Sequence, residues 1–435
     1  MSMTTRFACF TRKAQDPTTP FTALMGLVCD PVELADSFNC VKDKAPGIDG
    51  IRKADYADGL PGKLDGLSQR LRRLGYRPQP VRRVYIPKGK DQWRPLGIPA
   101  FEDRIVQDRL SRVMQTIWEP EFLDCSYGFR PRRSAHDALR RVSQIITQER
   151  TQFVVDADIK GFFDQVDHDW MMRFIGHRIK DPKFKRLIHR FLKAGVMEDG
   201  VVSASEEGTP QGGLVSPVLA NIYLHYVLDL WFEKRFARQC PGKVFLVRYA
   251  DDFVVCCESE AAARMFLEAV QERLAKFGLE LSLEKTRVLR FGSGAKRHCR
   301  RDGDRKPRTF DFLGFTHYVS TSRGGYFKVG RKTARGRLIK KLIVLNVKLS
   351  RLRTARGRAM MNYFIMHLRG HYQYYGVSDN LRSLRGYFYA ACGLLFKWLN
   401  RRSQRRSTTW KRFYEVLQRE VPKPRIVHSM YPRYA

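Results

Sequence analysis

Short runs of β-branched and aromatic residues alternate with longer helical patterns through the middle of the chain. Three such runs, over 153–155, 244–247 and 253–255, are flanked by charged or turn-forming residues, as short strands are. Apolar residues recur at helical spacing over 170–191 and 261–277. This mixture of strands and helices predicts an α+β core.

The two ends of the chain differ from this core. The N-terminal part contains in order a Pro-Gly loop, a helical pattern and a basic strand-like run, over 46–50, 64–74 and 81–86. Beyond residue 325, apolar residues follow helical spacing over 338–352, 381–399 and 410–417. We therefore predict three parts, residues 1–150, 151–325 and a mainly helical 326–435.

Charge is concentrated in the last of these parts. The chain has 80 Lys and Arg against 44 Asp and Glu, a net charge of +36. Residues 326–435 hold 26 of these cations and only three acidic residues, a net +23, with aromatic residues interleaved. Such a surface would repel itself without a polyanion along it, which indicates a nucleic acid. The alternative is a solvated basic face that only aids solubility.

Composition also bears on the compartment. The nine cysteines form no CxxC pair, so reduced thiols are expected rather than disulfides or a zinc site. We see neither a signal-peptide pattern nor an apolar run of about 18 residues. The sequence therefore predicts a soluble cytoplasmic protein that does not enter a membrane.

Candidate chemistry lies in two acidic turns. Asp251 and Asp252 fall between two apolar strands, at what should be the tip of a hairpin. Asp156 and Asp158 end another apolar strand, where alternation places them on one face. Neighbouring carboxylates repel, and hard oxygen ligands without nearby Cys or His favour Mg²⁺. If these strands adjoin, Asp158 with Asp251 and Asp252 can hold two ions for in-line nucleotidyl transfer.

A glycine-rich stretch over 208–217 precedes a helical pattern over 218–230. Glycines beside the start of a helix allow a substrate to approach the backbone closely. The stretch matches neither of the common glycine-rich phosphate-binding signatures, so by itself it does not indicate a function.

Together these segments resemble the reverse transcriptases of bacterial group II introns and their intron-free relatives. The resemblance runs in order over nearly the whole chain. It rests on KAPGIDG at 44–50, VYIPK at 84–88, RPLGIP at 94–99, SYGFRP at 126–131, SAHDA at 134–138, DADIKGFFD at 156–164, TPQGGLVSP at 209–217, YADD at 249–252, LEKT at 283–286, FLGF at 312–315 and LRGHYQYYG at 368–376. It implies a right-hand polymerase with fingers, palm and a helical thumb or maturase domain.

The resemblance also implies roles for single residues. Asp158 and Asp251 would be the main ligands of two Mg²⁺ ions, for which Mn²⁺ can substitute, with Asp252 and Ile159 completing the site. The nucleotide would be held by Lys88, Arg94, Phe163 and Gln211. Phe163 would exclude the ribose 2′-hydroxyl, unless it is simply a core residue. Lys285 would protonate the leaving pyrophosphate, unless it is a surface ion pair.

Nucleic acid would contact a further set of residues. These are Arg130, Gly212, Lys332, Arg335, Arg337, Lys341, Arg369 and Tyr372. The implied partners are an RNA template, a DNA or RNA primer and deoxynucleoside triphosphates, with group II intron RNA and its DNA target for an intron-mobilising member. The oligomeric state stays open.

The expected activity is therefore RNA-directed DNA polymerisation, with intron-RNA binding, splicing and retrohoming. Three alternatives stay open: recruitment to DNA repair or phage defence, a splicing cofactor that needs no polymerase activity, and an RNA-templated RNA polymerase. The complete set of acidic residues argues against the splicing cofactor without polymerase activity, and Phe163 argues against the RNA polymerase. We expect no endonuclease, because the sequence ends about sixty residues after Arg369 without a cluster of Cys and His.

Overall fold

The computed structural model describes residues 3–89, 92–198, 201–203, 208, 212–354, 357–401 and 408–431. Its strands are β1 Val81–Gly89, β2 Gln92–Ile98, β3 Phe153–Asp158, β4 Val196–Glu198, β5 Val201–Ser203, β6 Val244–Tyr249, β7 Asp252–Cys257, β8 Arg287–Arg290, β9 Phe310–Phe312, β10 Phe315–Thr321 and β11 Phe327–Thr333. Its helices are α1 Met3–Ala14, α2 Met25–Val28, α3 Pro31–Cys40, α4 Lys53–Ala57, α5 Leu60–Arg72, α6 Phe101–Trp118, α7 Ala135–Gln148, α8 His168–Arg178, α9 Pro182–Leu192, α10 Ser216–Leu224, α11 Ala237–Gln239, α12 Glu260–Ala275, α13 Ala295–Arg301, α14 Arg335–Arg351, α15 Gly357–Tyr375, α16 Leu381–Asn400 and α17 Trp410–Glu420.

The central sheet has the strand order β6-β7-β3-β8 and is antiparallel throughout. The predicted α+β core is confirmed, and all three predicted runs are strands of this sheet. The expected helix over 170–191 is wrong, because it is two helices. Asp181 accepts hydrogen bonds from the backbone N–H groups of Lys183 and Phe184 and precedes Pro182, so a new helix begins there.

Two smaller sheets flank the central one. The hairpin of β1 and β2 is extended by β4 and β5 in the order β2-β1-β4-β5. The hairpin of β10 and β11 carries β9 at its edge. The predicted boundary between residues 325 and 326 falls in the turn of this hairpin. After residue 334 the described chain contains helices α14 to α17, which confirms the mainly helical C-terminal part.

Apolar side chains on the two faces of the central sheet belong to different cores. Val155 and Ala157 of β3 pack with helices α1 to α6 and α8 to α12. Val154 of β3 and Val254 of β7 belong instead to a second core with α7, β9 to β11 and the C-terminal helices. The helical C-terminal part is thus packed on the face of the sheet that carries residues 154, 156 and 158. No helix in the described ranges has the length and apolarity to cross a bilayer.

The C-terminal core contains an imidazole without a hydrogen-bond partner among the described residues. His371 is fully buried and stacks on Tyr387 with ring centroids 3.8 Å apart. Burial, with smaller effects of Lys341 and His367, lowers the pKa of His371 to about 3. Protonation therefore favours the unfolded chain, where the pKa is about 6.5.

We expect the stability of the C-terminal helices to be full above about pH 6.5 and to fall progressively as the pH drops toward 3. Thermal melting of wild type and His371→Phe across this interval checks it. The variant should lose less stability on acidification, and parallel curves would show that His371 does not contribute.

Candidate active site

The acidic turn lies at the tip of the hairpin formed by β6 and β7. Tyr249 pairs with Asp252, so Ala250 and Asp251 form a two-residue connection. Ala250 has a φ of +57°, a left-handed conformation that a residue with a side chain adopts at some cost. This turn brings Asp251 and Asp252 to the end of the central sheet.

Strand β3 lies beside β7 and brings further carboxylates to the same end. Asp158 is directly opposite Asp252, and Asp156 is opposite Val254. Residues opposite each other in an antiparallel pair share a face of the sheet. Asp156, Asp158 and Asp252 therefore lie on one face, as the sequence predicted for the two acids of β3.

These acids raise one another's proton affinity. The pKa of Asp252 is raised to about 7, first by burial and then by the charges of Asp156, Asp251 and Asp158, while a backbone hydrogen bond from Leu313 acts in the opposite direction. The pKa of Asp156 is also raised, mainly by burial. Because ionisation of these carboxyl groups is disfavoured, a bound cation would stabilise their charged forms.

Two basic side chains reach these acids, one from the loop before β8 and one from the first residue of β8. Lys285 Nζ is 2.5 Å from Asp158 Oδ2, and Arg287 Nη2 is 3.0 Å from Asp156 Oδ2. The backbone N–H of Ser282 donates to the carbonyl of Asp158, which fixes the end of β3 beside the loop that carries Lys285. Lys285 therefore lies beside the predicted site, where its contact is with a carboxylate.

The fit of divalent cations can be judged from these contacts. No three Asp, Glu, His or Cys side chains in the described part of the chain are arranged to hold an ion as they stand. Asp158 and Asp252 are nevertheless opposite each other on the adjacent strands β3 and β7, with Asp251 next in the chain. The charge they accumulate and their all-oxygen donor set suit Mg²⁺ or Mn²⁺, and the long side chain of Lys285 can move away from Asp158.

A buried polar network, which the sequence analysis missed, lies beneath the hairpin tip. Arg248 is fully buried and pairs with Asp229, itself fully buried, at 2.5 Å. Its guanidinium also donates to the Ala250 carbonyl (3.0 Å), Asn221 Oδ1 (3.1 Å) and Ser126 Oγ (2.9 Å). The network holds the carbonyl of the strained turn residue. A charged residue inside an otherwise apolar strand was the available signal.

Gly128 completes the support of the turn. A side chain at this position would overlap the backbone nitrogen of Ala250. Its carbonyl accepts a hydrogen bond from Asn221 Nδ2 at 2.7 Å. The loop around residue 128 therefore supports the acidic hairpin, and only glycine fits at position 128.

The helical part of the chain also touches the acidic site. Tyr374 of α15 donates a hydrogen bond to the Leu313 carbonyl at 2.8 Å, and the Leu313 backbone bonds to Asp252. Leu313 has a φ of +51°, and Gly314 follows at +80°. No pattern in the sequence predicted this connection from Tyr374 through Leu313 to Asp252.

Two glycines of the glycine-rich stretch pack closely against neighbouring backbone. A side chain at Gly208 would lie 2.8 Å from the Phe163 carbonyl oxygen, and one at Gly212 would overlap the Gly97 carbonyl oxygen of β2. Phe163 is partly buried, with its ring edge-on to Phe162 at 5.2 Å. It lies five residues beyond Asp158, in a short 3₁₀ turn. Gln211 lies outside the described residues.

The hairpin of β1 and β2 carries the other predicted nucleotide contacts. Arg94 is exposed and lies opposite Ile86. Lys88 belongs to β1, at a point where the register of the hairpin shifts. Ile159 follows β3 and is bridged to Leu281.

Five of the predicted nucleic-acid contacts can be reached from solvent. Their side chains are exposed or, for Lys341, partly exposed: Lys332, Arg335, Arg337, Lys341 and Arg369. Lys341 lies 5.0 Å from the centroid of the Tyr375 ring, and burial lowers its pKa. Gly212 is exposed beside β2.

Two predicted nucleic-acid contacts need correction. Arg130 is buried, pairs with Glu119 at 2.9 Å and donates to the carbonyls of Leu123 and Ser126, so it holds its own loop together. Tyr372 is buried in the C-terminal core and cannot stack on a base. Their position within motifs suggested an exposed role, but burial decides otherwise.

Comparison with known proteins agrees with this geometry. The family model described as reverse transcriptase (RNA-dependent DNA polymerase) matches residues 86–317. Protein YkfC of Escherichia coli is 35% identical over 318 residues, which cover 65% of this chain and 83% of that protein. The group II intron-encoded protein LtrA of Lactococcus lactis is 37% identical over 267 residues, 58% of this chain and 44% of LtrA.

This chain belongs to the reverse transcriptase (RNA-dependent DNA polymerase) family. The matched span of this reverse transcriptase contains all the carboxylates described above, together with Phe163, Lys285 and the network around Arg248. A putative COX1/OXI3 intron 1 protein of Saccharomyces cerevisiae is also similar, at 30% identity over 210 residues, 48% of this chain and 25% of that protein. The chain spans under half the length of these two intron proteins.

Proposed function

We propose that the protein extends a primer on an RNA template at the end of the central sheet. The observation that carries this proposal is the register that sets Asp158 opposite Asp252, with Asp251 beside it at the hairpin tip. Carboxylates brought together in this way serve to bind divalent cations in nucleotidyl transfer.

Asp158 and Asp251 would hold two Mg²⁺ ions, with Asp252 and the backbone at Ile159 at the edge of the site. Mn²⁺ would be accepted in their place. When bound, such ions would activate the 3′-hydroxyl of the primer for attack and neutralise charge on the leaving pyrophosphate. Arg94 and Lys88, on the hairpin of β1 and β2, would bind the triphosphate of the incoming deoxynucleotide.

Lys285 has two roles in this proposal. Its ammonium contacts Asp158, where it offsets part of the acidic charge. With nucleotide and metal bound, it would turn to the pyrophosphate and donate a proton there. Gln211 would contact the nucleotide and the template.

Phe163 would determine which sugar is accepted. Its ring packs edge-on against Phe162 and its backbone carbonyl lies against Gly208, and these contacts restrict its movement away from a 2′-hydroxyl. We expect Phe163→Ala to incorporate ribonucleotides about tenfold or more better than wild type, a steric penalty of roughly 1.4 kcal/mol removed. Single-nucleotide incorporation with dNTP and rNTP measures this. Unchanged sugar selectivity would make Phe163 a core residue only.

The partners of this activity follow from the charge and the relatives. The exposed residues Lys332, Arg335, Arg337 and Arg369 of the C-terminal part would bind the RNA template and its DNA or RNA primer. Because intron-encoded proteins are among the relatives, we also propose that this part binds group II intron RNA, supports its splicing and serves retrohoming into DNA.

Primer extension tests the proposal. Purified protein, an RNA template with an annealed DNA primer, dNTPs and Mg²⁺ should give extended product, and chelation by EDTA should abolish it. The same reaction on rNTPs tests the RNA polymerase alternative. Absence of product with both nucleotide types and with both Mg²⁺ and Mn²⁺ would contradict the proposal and leave RNA binding as the activity.

A further inference from the structure

The central sheet has a second charged end, opposite the carboxylates. Residues 296–308 contain seven Lys and Arg against Asp302 and Asp304. Side chains of all seven cations are exposed, whereas Ala295 and Cys299 anchor α13 to the core. The seven are Lys296, Arg297, Arg300, Arg301, Arg305, Lys306 and Arg308.

Most of this charge has no counter-ion among the described residues. Arg301 pairs with Asp302, which Arg290 also contacts, both at 3.4 Å. Arg297, Arg300, Arg305, Lys306 and Arg308 form no ion pair with any described residue. Like charges held together on a folded surface repel one another, and a bound polyanion removes that repulsion.

An exposed aromatic side chain lies next to these cations. Lys296 Nζ donates to Thr321 Oγ1 at 2.5 Å, which joins α13 to the end of β10. Thr321 pairs with Phe327, so Tyr326, one residue before Phe327, lies at this junction. Tyr326 is 78% exposed, and Arg323 lies with it in the turn of the hairpin. We call residues 296–308 and 321–326 the distal basic surface.

The register of the sheet separates the distal basic surface from the catalytic site. Arg290 of β8 is opposite Phe153, the first residue of β3, whereas Asp158 is the last. Five residues of strand correspond to about 17 Å. The segment that leads into α13 is tied to the same end, because a side chain at Gly292 would overlap the Thr151 carbonyl. A nucleic-acid segment bound here therefore lies away from the nucleotide being copied at the carboxylates.

We infer that the distal basic surface binds single-stranded RNA while the polymerase cleft is occupied by primer and template. Several cations along a short helix and an irregular loop suit a flexible phosphate backbone, and Tyr326 suits stacking on an unpaired base. The surface would hold an unpaired segment of a structured RNA whose other part is engaged in the cleft. This goes beyond the proposed polymerase reaction and adds a second RNA site to it.

The test is a binding measurement on the full chain. Protein is first saturated with a primer–template duplex, and binding of labelled oligo(U) to that complex is followed by fluorescence anisotropy. We expect oligo(U) to bind the complex, and Arg297→Gln/Arg300→Gln/Arg305→Gln/Tyr326→Ala to weaken this binding about tenfold or more. The variant should also reduce the steepness of the salt dependence, because fewer phosphates are neutralised.

Matched controls keep the outcome interpretable. Lys234→Gln/Arg235→Gln/Arg238→Gln removes the same number of charges, three, from another exposed face and should retain oligo(U) binding within about twofold. The melting temperature and primer–template affinity of both variants should match wild type. Equal loss in the control would overturn the inference, as would equal binding of oligo(dT) or failure of oligo(U) to bind the saturated complex. Since no polymerisation is needed, these failures are distinct from failure of the proposed function.

Discussion

Asp251→Asn is expected to abolish primer extension while the protein stays folded. The substitution preserves size but removes one negative charge at the hairpin tip, where the cations must be held. We expect the rate on an RNA template to fall by at least about a hundredfold, the scale found when one electrostatic contact to a transition state is lost. Single-turnover extension with saturating Mg²⁺ measures the effect.

Asp164→Asn is the matched control for this experiment. Asp164 lies in the same motif as Asp158, but it is exposed and outside the cluster of carboxylates. It should extend the primer within about twofold of the wild-type rate. An active Asp251→Asn, or an equal loss in both variants, would show that the hairpin tip is not the catalytic centre.

Arg248→Met should have the second largest effect, through the position of the hairpin rather than through contact with substrate. It leaves Asp229 buried without its partner and frees the Ala250 carbonyl. Breaking a buried ion pair in this way costs about 3 to 5 kcal/mol of stability. We also expect the fraction that remains folded at low temperature to extend primers at least about tenfold more slowly, since misplaced catalytic groups lose rate steeply.

Arg178→Met separates positioning from stability. Arg178 is likewise buried, pairs with Glu121 and bonds to the carbonyl of Thr19, but it holds the N-terminal segment rather than the acidic hairpin. It should lower the melting temperature to a similar extent without slowing the folded enzyme. A higher Mg²⁺ requirement in Arg248→Met alone would support the positioning role. Equal rates per folded molecule in both variants would contradict it.

The sequence was most informative where local pattern and chemistry coincide. The strands that end in Asp158 and begin at Asp252 were evident from their apolar residues, and alternation placed Asp156 and Asp158 on one face. It was also sufficient for α12, α14 and α16, because their apolar spacing is regular, whereas α6, α7 and α15 were not predicted. The sequence could not show that β3 lies between β7 and β8, because pairing between distant strands depends on the whole core.

The wrong nucleic-acid predictions also arise because contacts between distant segments cannot be inferred from local sequence. Arg130 and Tyr372 have the residue types of nucleic-acid contacts, but their surroundings come from segments distant in the fold. The supporting roles of Asp229, Asn221 and Ser126 became apparent only when the fold brought them to Arg248. The break at Asp181 was, like the charge of Arg248, a local signal that was overlooked, since an acidic residue before proline is a common start of a helix.

Metal-directed cleavage tests most directly whether the strand end and the hairpin tip share a cation site. Fe²⁺ with ascorbate replaces Mg²⁺ and cuts the nearby backbone, and mass spectrometry locates the cuts. We predict cuts at both 156–159 and 250–252, suppressed together by excess Mg²⁺ and lost together in Asp158→Asn. Cleavage at only one of these segments, or persistence of the hairpin cuts in Asp158→Asn, would contradict a common metal centre.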